Sequence, residues 1–353
     1  MEEIKALTEG KIIAKRWKIV EKLGEGGMGA VFKVRDLTRF NMHAAMKVES
    51  DLTDGGVLKL EVHVLKQLSD SKNCARLLDS GERGNYCFMV MTLLGKDLMA
   101  HKRTANIPKL SEQTTLRLGM ATLFAIKQIH EVGFTHRDIK PGNCVTGTLG
   151  ADTKNVYLID YGMVRQFTAT KDDGEIAMRR ARKGDQLFRG TPRYCSLNVH
   201  ARKEQGRVDD LWSWLYMLVE LHCGLPWRRL TDEKEIYKFK QTCAPDVLFK
   251  GCPKEFLNIY KYLNLLEYKS RPDYFGLWSE CFAGFKRVKG SFFGRFEWEL
   301  ENPGKQLEEI NTALSVSSKR EANNFKPTTR IQMAKKIWPY ADSASFKKKD
   351  LNF

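Results

Sequence analysis

At 353 residues and 42% apolar side chains, the chain is long enough for one large two-lobed domain with an extension, or for two ordinary domains. Its start, Met1-Glu2-Glu3-Ile4-Lys5, is charged, and its most apolar stretch, Leu211 to Leu221, is short and carries Ser213 and Glu220, which excludes membrane insertion and predicts a buried core helix instead. The net charge of +16 favours acidic or phosphorylated partners or a polyanion surface over a merely solvated basic surface, and the eight cysteines, none in a C-x-x-C pair, read as reduced thiols of a cytoplasmic or nuclear protein.

Residues up to about 91 are predicted to be sheet-rich with one helix. Ile19 and Val20 lead through Leu23 into Gly24-Glu25-Gly26-Gly27-Met28-Gly29, and Ala30-Val31-Phe32-Lys33-Val34 follows, so apolar and β-branched residues flank the glycines on both sides. The G-x-G-x-x-G of Gly24, Gly26 and Gly29 alone is weak, because dinucleotide folds share it. There, however, the glycines run from strand to helix; here they run from strand to strand, as a hairpin that lies over phosphates without side chains in the way. His43 to Val48 is a further short run carrying Lys47, and Val57 to Leu68 reads as a helix through Leu58, Val62, Leu65 and Leu68. Lys47 needs a carboxylate to hold it; Glu61 on the helix is the better candidate, and Glu49 on the same strand is nearer in sequence. Tyr86 to Met91 reads as a strand.

From Ser111 the period becomes helical, with Leu116, Met120, Leu123, Phe124 and Ile129 marking a helix that ends at Gly133. Further helices are predicted at about 209–223, 233–243, 253–265 and 274–283. Residues 301–353 read as a basic, flexible tail; the stretch 304–353 holds 10 Lys/Arg and 5 Asp/Glu, hence +5 of the total, and within it Ile337-Trp338-Pro339-Tyr340 is a candidate docking segment.

The chemistry concentrates in His136-Arg137-Asp138-Ile139-Lys140-Pro141-Gly142-Asn143-Cys144, followed by Leu158-Ile159-Asp160-Tyr161-Gly162. One carboxylate to orient a hydroxyl, one lysine to neutralise a transferring phosphate, and an amide with a second carboxylate as hard oxygen ligands for Mg²⁺ form a phosphoryl-transfer set. Asp138, Lys140, Asn143 and Asp160 take those roles, with His136 a packing and hydrogen-bonding residue. Thr191, in Gly190-Thr191-Pro192-Arg193-Tyr194, is expected to bond Asp138 and Lys140, and Asp210 to brace the catalytic loop through backbone N–H groups. Met178 to Lys183, with Arg189 and Arg193, reads either as an anion site or as a solvated basic loop.

With these residues in place the chain resembles a eukaryotic protein kinase over roughly residues 15–300. Within kinases it is similar to the casein kinase 1 superfamily, through Cys195-Ser196-Leu197-Asn198, Asp209-Asp210-Leu211 and Leu225-Pro226-Trp227. Leu58 to Leu65, Gly133 to His136 and Asp210 to Ser213 look closest to the tau-tubulin kinase branch, in a divergent, nematode-type form. The resemblance implies an α+β, two-lobed kinase fold: an extension at 1–16, an antiparallel-sheet N-lobe at 17–91, a hinge at 92–95 and a mostly helical C-lobe at 96–300. It implies Mg-ATP-dependent serine/threonine phosphorylation of proteins that are acidic or already phosphorylated, with a cytoskeletal protein as a candidate partner and nothing pointing to nucleic acid. Leu23, Gly24, Glu25, Gly26, Gly27, Met28, Gly29, Ala30 and Val31 would cover ATP, Met91 to Leu94, Leu93 included, would border the adenine, and Lys47 with Glu61 would position the phosphates. Three positions depart from the relatives: Thr92 in the hinge, Tyr161 for the usual Phe, and Gly142 for Glu, Asp or Ser, the last expected to soften the catalytic loop. The alternatives are a pseudokinase or scaffold that binds nucleotide or a partner without turnover, against which the intact Lys47, Asp138, Asn143 and Asp160 speak, and a dinucleotide oxidoreductase, which the missing helix after the glycines disfavours.

Overall fold

The computed structural model describes residues 2–26, 29–39, 42–50, 56–299, 327–347 and 351. The chain divides into two compact units, Met1–Gly95 with Ile159–Val164, and Lys96–Leu158 with Arg165–Phe353.

The first unit is a six-stranded antiparallel sheet in the order β1-β2-β3-β4-β6-β5. Its strands are β1 (Ile12–Ile13), β2 (Trp17–Gly26), β3 (Gly29–Asp36), β4 (His43–Ser50), β5 (Leu77–Arg83) and β6 (Tyr86–Thr92). Alternation in β3 sends Ala30, Phe32, Val34 and Asp36 to the buried face; the three apolar residues meet Trp17, Ile19, Met46, Val48, Phe88 and Val90 in one core, and Asp36 pairs with Arg16 at 2.7 Å. Two register shifts in β2, between Ile19 and Glu21 and between Lys22 and Gly24, twist the strand as it enters the glycine hairpin. Helix α1 (Glu2–Lys5) and β1 lie in the stretch expected as an extension, yet Ile4, Leu7 and Ile13 belong to the same core. Helix α2 (Val57–Gln67) buries Leu58, Glu61, Val64 and Leu65. It has no side-chain cap of its own; instead Glu49 of β4 accepts the Leu58 N–H at 3.1 Å.

The second unit is mainly helical. Helices α3 (Leu98–Thr104), α4 (Glu112–Glu131), α5 (Leu197–His200), α6 (Arg207–His222), α7 (Glu233–Thr242), α8 (Pro245–Leu248), α9 (Glu255–Leu263) and α10 (Tyr274–Arg287) follow in order. Asp97, Ser111, Ser196, Asp232 and Asp273 cap five of them through side-chain oxygens. Helix α6 is buried on nearly every side and is tied to α4 by Trp214, whose indole N–H donates to the Gly119 carbonyl at 3.1 Å and to Thr122 Oγ1 at 2.9 Å. The short helices α3, α5 and α8 have too few turns to show a sequence period, which is why only the longer helices were legible.

Of the tail expected to be flexible, residues 301–326, 348–350 and 352–353 lie outside the described residues; the described part packs against the helical unit, and the candidate docking segment 337–340 lies within it. Beyond α11 (Pro327–Ile337), Trp338, Tyr340, Phe346 and, at the border of exposure, Leu351 are buried. Trp338 donates to the Ala151 carbonyl at 3.1 Å, Tyr340 Oη to the Lys154 carbonyl at 2.9 Å, and Trp278 to the Tyr340 carbonyl at 2.9 Å. Arg117 on α4 lies over the Phe296 and Trp338 rings, 4.5 and 5.3 Å from their centroids. Few aromatic residues in a polar stretch thus suffice to dock it, because each carries a large apolar area and a polar group that finds a backbone partner. Trp338→Ala is expected to lower the unfolding free energy by about 3 kcal/mol or more in chemical denaturation; an unchanged midpoint would show that the segment does not pack.

Candidate active site

In the first unit, strand β4 carries Lys47 in the middle of the sheet, opposite Val31 of β3 and Met89 of β6. Its ammonium bonds Glu61 of α2, lies 3.2 Å from Glu49 Oε1 and 3.9 Å from Asp160 Oδ1. Glu61 therefore is the partner expected from the helix face, and Glu49 is a second one, which also caps α2. Burial pulls the lysine pKa down, but the surrounding carboxylates outweigh it and hold it above the ordinary value. Burial also pushes Glu61 up to about 7 against the pull of Lys47. These two directions conflict, since a protonated Glu61 would release Lys47; with three carboxylates around one ammonium, the lysine keeps its charge.

The glycine hairpin joins β2 to β3, with Glu25 opposite Ala30 and Gly24 opposite Val31. Gly29 is required by the sheet itself, since a Cβ there would come 2.0 Å from the Val48 carbonyl oxygen. At Gly24 and Gly26 a Cβ would meet no described atom within 4 Å, so the protein's own packing does not demand glycine at either. Leu23 is half exposed, and Gly27 and Met28 lie outside the described residues. Met91 and Thr92 are the last two residues of β6, with Leu93 just beyond. The Thr92 hydroxyl accepts the Arg76 N–H at 3.0 Å, so this departure serves to join the end of β6 to the residue just before β5. Tyr161 is buried, and its hydroxyl has found the Cys74 thiol, whose own pKa burial pushes up to about 12.

In the second unit, Asp138 is almost fully buried and accepts from three directions. Thr191 Oγ1 donates to Oδ1 at 2.7 Å; Lys140 Nζ and Asn143 Nδ2 donate to Oδ2 at 2.6 and 3.2 Å. Asn143 also donates to the Asp138 carbonyl at 2.9 Å, and Lys140 lies 3.4 Å from Thr191 Oγ1. The loop is braced from α6: Asp210 Oδ2 and Oδ1 accept the N–H groups of His136 and Arg137 at 2.6 and 2.7 Å. This brace holds Arg137 at a φ of +69°, a strained setting for a side-chain-bearing residue. His130, kept neutral by burial, donates from Nε2 to Asp210 at 2.9 Å and accepts from Tyr274 at Nδ1, 2.6 Å away; the partners assign this tautomer. His136 is wholly buried, its Nδ1 3.3 Å from the Asp138 N–H, in the packing role expected of it.

One member of the basic segment, Arg182, is neutralised by an acid from outside it. Glu204 pairs with Arg165 at 2.9 Å and with Arg182 at 2.5 Å. Arg137 is held down to about 10, first by burial and then by Arg165 and Arg189. Neither Glu204 nor the cap function of Glu49 was singled out from sequence, because both act on residues brought near only by folding.

Sheet, helices and site together define the class. The protein kinase domain family matches residues 17–263, and the chain belongs to that family. It is 41% identical over 302 residues to a Caenorhabditis elegans chain named "Putative serine/threonine-protein kinase", covering 84% of this chain and 86% of the relative. A casein kinase I homolog of Schizosaccharomyces pombe is 31% identical across 95% of this chain and 76% of its own length. An inactive tau-tubulin kinase of C. elegans is 31% identical across 69% of this chain and 87% of its length. The chain is thus a casein kinase 1-related protein kinase with the α+β kinase fold, which as a class uses ATP and acts on protein substrates.

Gly142, expected to soften the loop, lies in the short 3-10 turn Pro141–Asn143, where Asn143 N–H donates to the Lys140 carbonyl at 3.0 Å. A Cβ there would approach only the Lys140 Cε, at 4.0 Å. Gly142→Ala is expected to stabilise the fold by roughly 0.4–1 kcal/mol, by removing freedom from the unfolded chain. A lower thermal midpoint in the variant would show that the glycine is structurally required.

Proposed function

We propose that the protein is an active serine/threonine kinase in which Asp138 orients the attacking side-chain hydroxyl and takes its proton. The observation that carries this reading is the buried carboxylate of Asp138, fixed by Thr191, Lys140 and Asn143 at 2.6–3.2 Å. The hydroxyl oxygen bonds to the γ-phosphorus, the bond from that phosphorus to the β,γ-bridging oxygen breaks, and ADP leaves with the electron pair. Lys140 carries positive charge toward the transferring group, while Lys47, held by Glu61 and Glu49, meets the α- and β-phosphates. The open backbone at Gly24 and Gly26 suits close approach of phosphate oxygens, with Leu23, Glu25, Ala30 and Val31 on the same hairpin and Met91 and Leu93 toward the base.

The donor chemistry of Asn143 and Asp160 fits Mg²⁺. The Asn143 amide nitrogen is committed to Asp138, which leaves Oδ1 for a cation, and the Asp160 carboxylate is half exposed and supplies hard oxygens. Mg²⁺ held by these oxygen donors would supply charge neutralisation for the phosphates. Acidic or phosphorylated substrates fit the cationic cluster of Arg137, Arg165 and Arg189, whose mutual repulsion contributes to the lowered Arg137 pKa. A cytoplasmic setting fits eight cysteines that form no disulfide. The scaffold reading has one observation in its favour, a relative named as inactive.

The test is phosphate transfer from labelled ATP to a serine peptide, wild type against Asp138→Asn. A loss of about a hundredfold or more is expected, with the phosphoserine-primed form of the peptide preferred by the wild type. Equal rates in both proteins would remove Asp138 from the chemistry. A wild type that binds Mg-ATP yet transfers nothing would establish the scaffold.

A further inference from the structure

We propose that Lys240, a buried lysine on α7, is a positioning residue for phosphoryl transfer: it shapes the loop from Gly190 to Cys195 and thereby sets Thr191 against Asp138. The proposal rests on the reading of Asp138 above and adds to it a residue about a hundred positions away in sequence.

Helix α7 is polar, and only Ile236 and Lys240 are buried on it. The lysine is 6% exposed, against the rule that lysines keep their charge in water. Its Nζ donates to the carbonyls of Pro192 at 2.7 Å and Cys195 at 2.6 Å, and it lies 3.3 Å from Nε2 of His200. Three N–H groups thus meet three acceptors. The faces of Tyr216 and Trp227 cover the ammonium, 5.0 and 5.3 Å from their ring centroids. Burial lowers the lysine to about 8 and His200 to about 4, so near neutral pH the ammonium is charged and the imidazole neutral, with Nε2 free of a proton to accept. The other ring nitrogen of His200 faces Glu233 at 3.5 Å.

The two carbonyls bracket the loop. Between them, the Arg193 carbonyl accepts the Trp227 indole N–H at 2.9 Å, and the N–H groups of Tyr194 and Cys195 return to the Thr191 carbonyl at 2.9 and 3.0 Å. The Thr191 hydroxyl then reaches Asp138 at 2.7 Å. One cation therefore directs the Pro192 and Cys195 carbonyls at the two ends of the turn, while Trp227 holds the Arg193 carbonyl and the backbone N–H groups hold that of Thr191. A methionine would fill the same space without the cost of desolvating a charge, and buried ions are often no more stabilising than apolar residues. What the charge adds is direction: it orients two carbonyls that an apolar side chain would leave without their strongest donor, the Pro192 carbonyl keeping only weaker ones such as the Cys195 thiol at 3.6 Å.

The experiment is a double-mutant cycle with Lys240→Met and Thr191→Ala, reading kcat and KM for ATP and for a serine peptide. Lys240→Met is expected to lower kcat about tenfold or more while KM for ATP stays within about twofold, the scale of a misplaced catalytic group. The double variant is expected to be only slightly worse than the poorer single one, because both changes break the same linkage. Wild-type kcat in Lys240→Met, or losses that multiply, would overturn the proposal. Amide hydrogen exchange of Lys240→Arg, whose planar fork cannot meet the same three acceptors, gives a readout independent of turnover. Faster exchange confined to residues 190–195 is expected; unchanged exchange there, or an equal rise across α4 and α6, would also overturn it. Should the wild type transfer no phosphate, the Asp138 reading falls, and the exchange measurement alone decides the role of Lys240.

Discussion

Both oxygens of one buried carboxylate, Asp210, accept the backbone N–H groups of His136 and Arg137, and the catalytic chemistry hangs from that pair of bonds. Burial alone would raise the pKa of this acid, but the hydrogen bond from His130 and those from the loop win and lower it, so the carboxylate is ionised and can hold two backbone donors. Its place in the first turn of α6 adds the favourable end of the helix dipole. The helix itself is fixed by the apolar run from Leu211 to Leu221 and by Trp214 against α4. Sequence composition thus sets a buried helix, the helix sets a carboxylate, and the carboxylate sets a strained loop in which Asp138, Lys140 and Asn143 converge.

The same device recurs wherever a segment without regular structure must be held. Glu49 caps α2 and approaches Lys47; Lys240 fixes the Pro192 and Cys195 carbonyls; Glu204 pairs with both Arg165 and Arg182. Each is a buried charge that would be costly alone and is retained with several partners. Asp209, next to Asp210, is a variant of it: burial pushes its carboxyl up to about 6, while it accepts from Ser196 at 2.5 Å and from the Gly206 N–H at 2.7 Å. Through Ser196, which caps α5, it links the start of α6 to the chain just after the Thr191 loop.

Much of this was legible in the sequence where the chemistry is local. His136 to Asn143, Asp160, the strand-flanked glycines and the long helices rest on spacing of a few residues, and Thr191 and Asp210 stand where the motifs require them. What was not legible depends on partners made adjacent only by folding. Lys240 meets Pro192 48 positions away, and Trp338 meets Ala151 187 positions away. A lysine on a polar helix and a tryptophan in a basic tail carry no local mark of burial. Hydroxyls that looked foreign to their positions, on Thr92 and Tyr161, turned out to have specific partners in Arg76 and Cys74.

The brace on the catalytic loop is tested most directly by residue-resolved amide hydrogen exchange of the wild-type protein. The N–H groups of His136 and Arg137, buried and bonded to an ionised carboxylate, are expected to exchange only through the opening that also releases the centre of α6. Exchange of these two amides at the rate of an open surface loop, while α6 stays protected, would contradict the account.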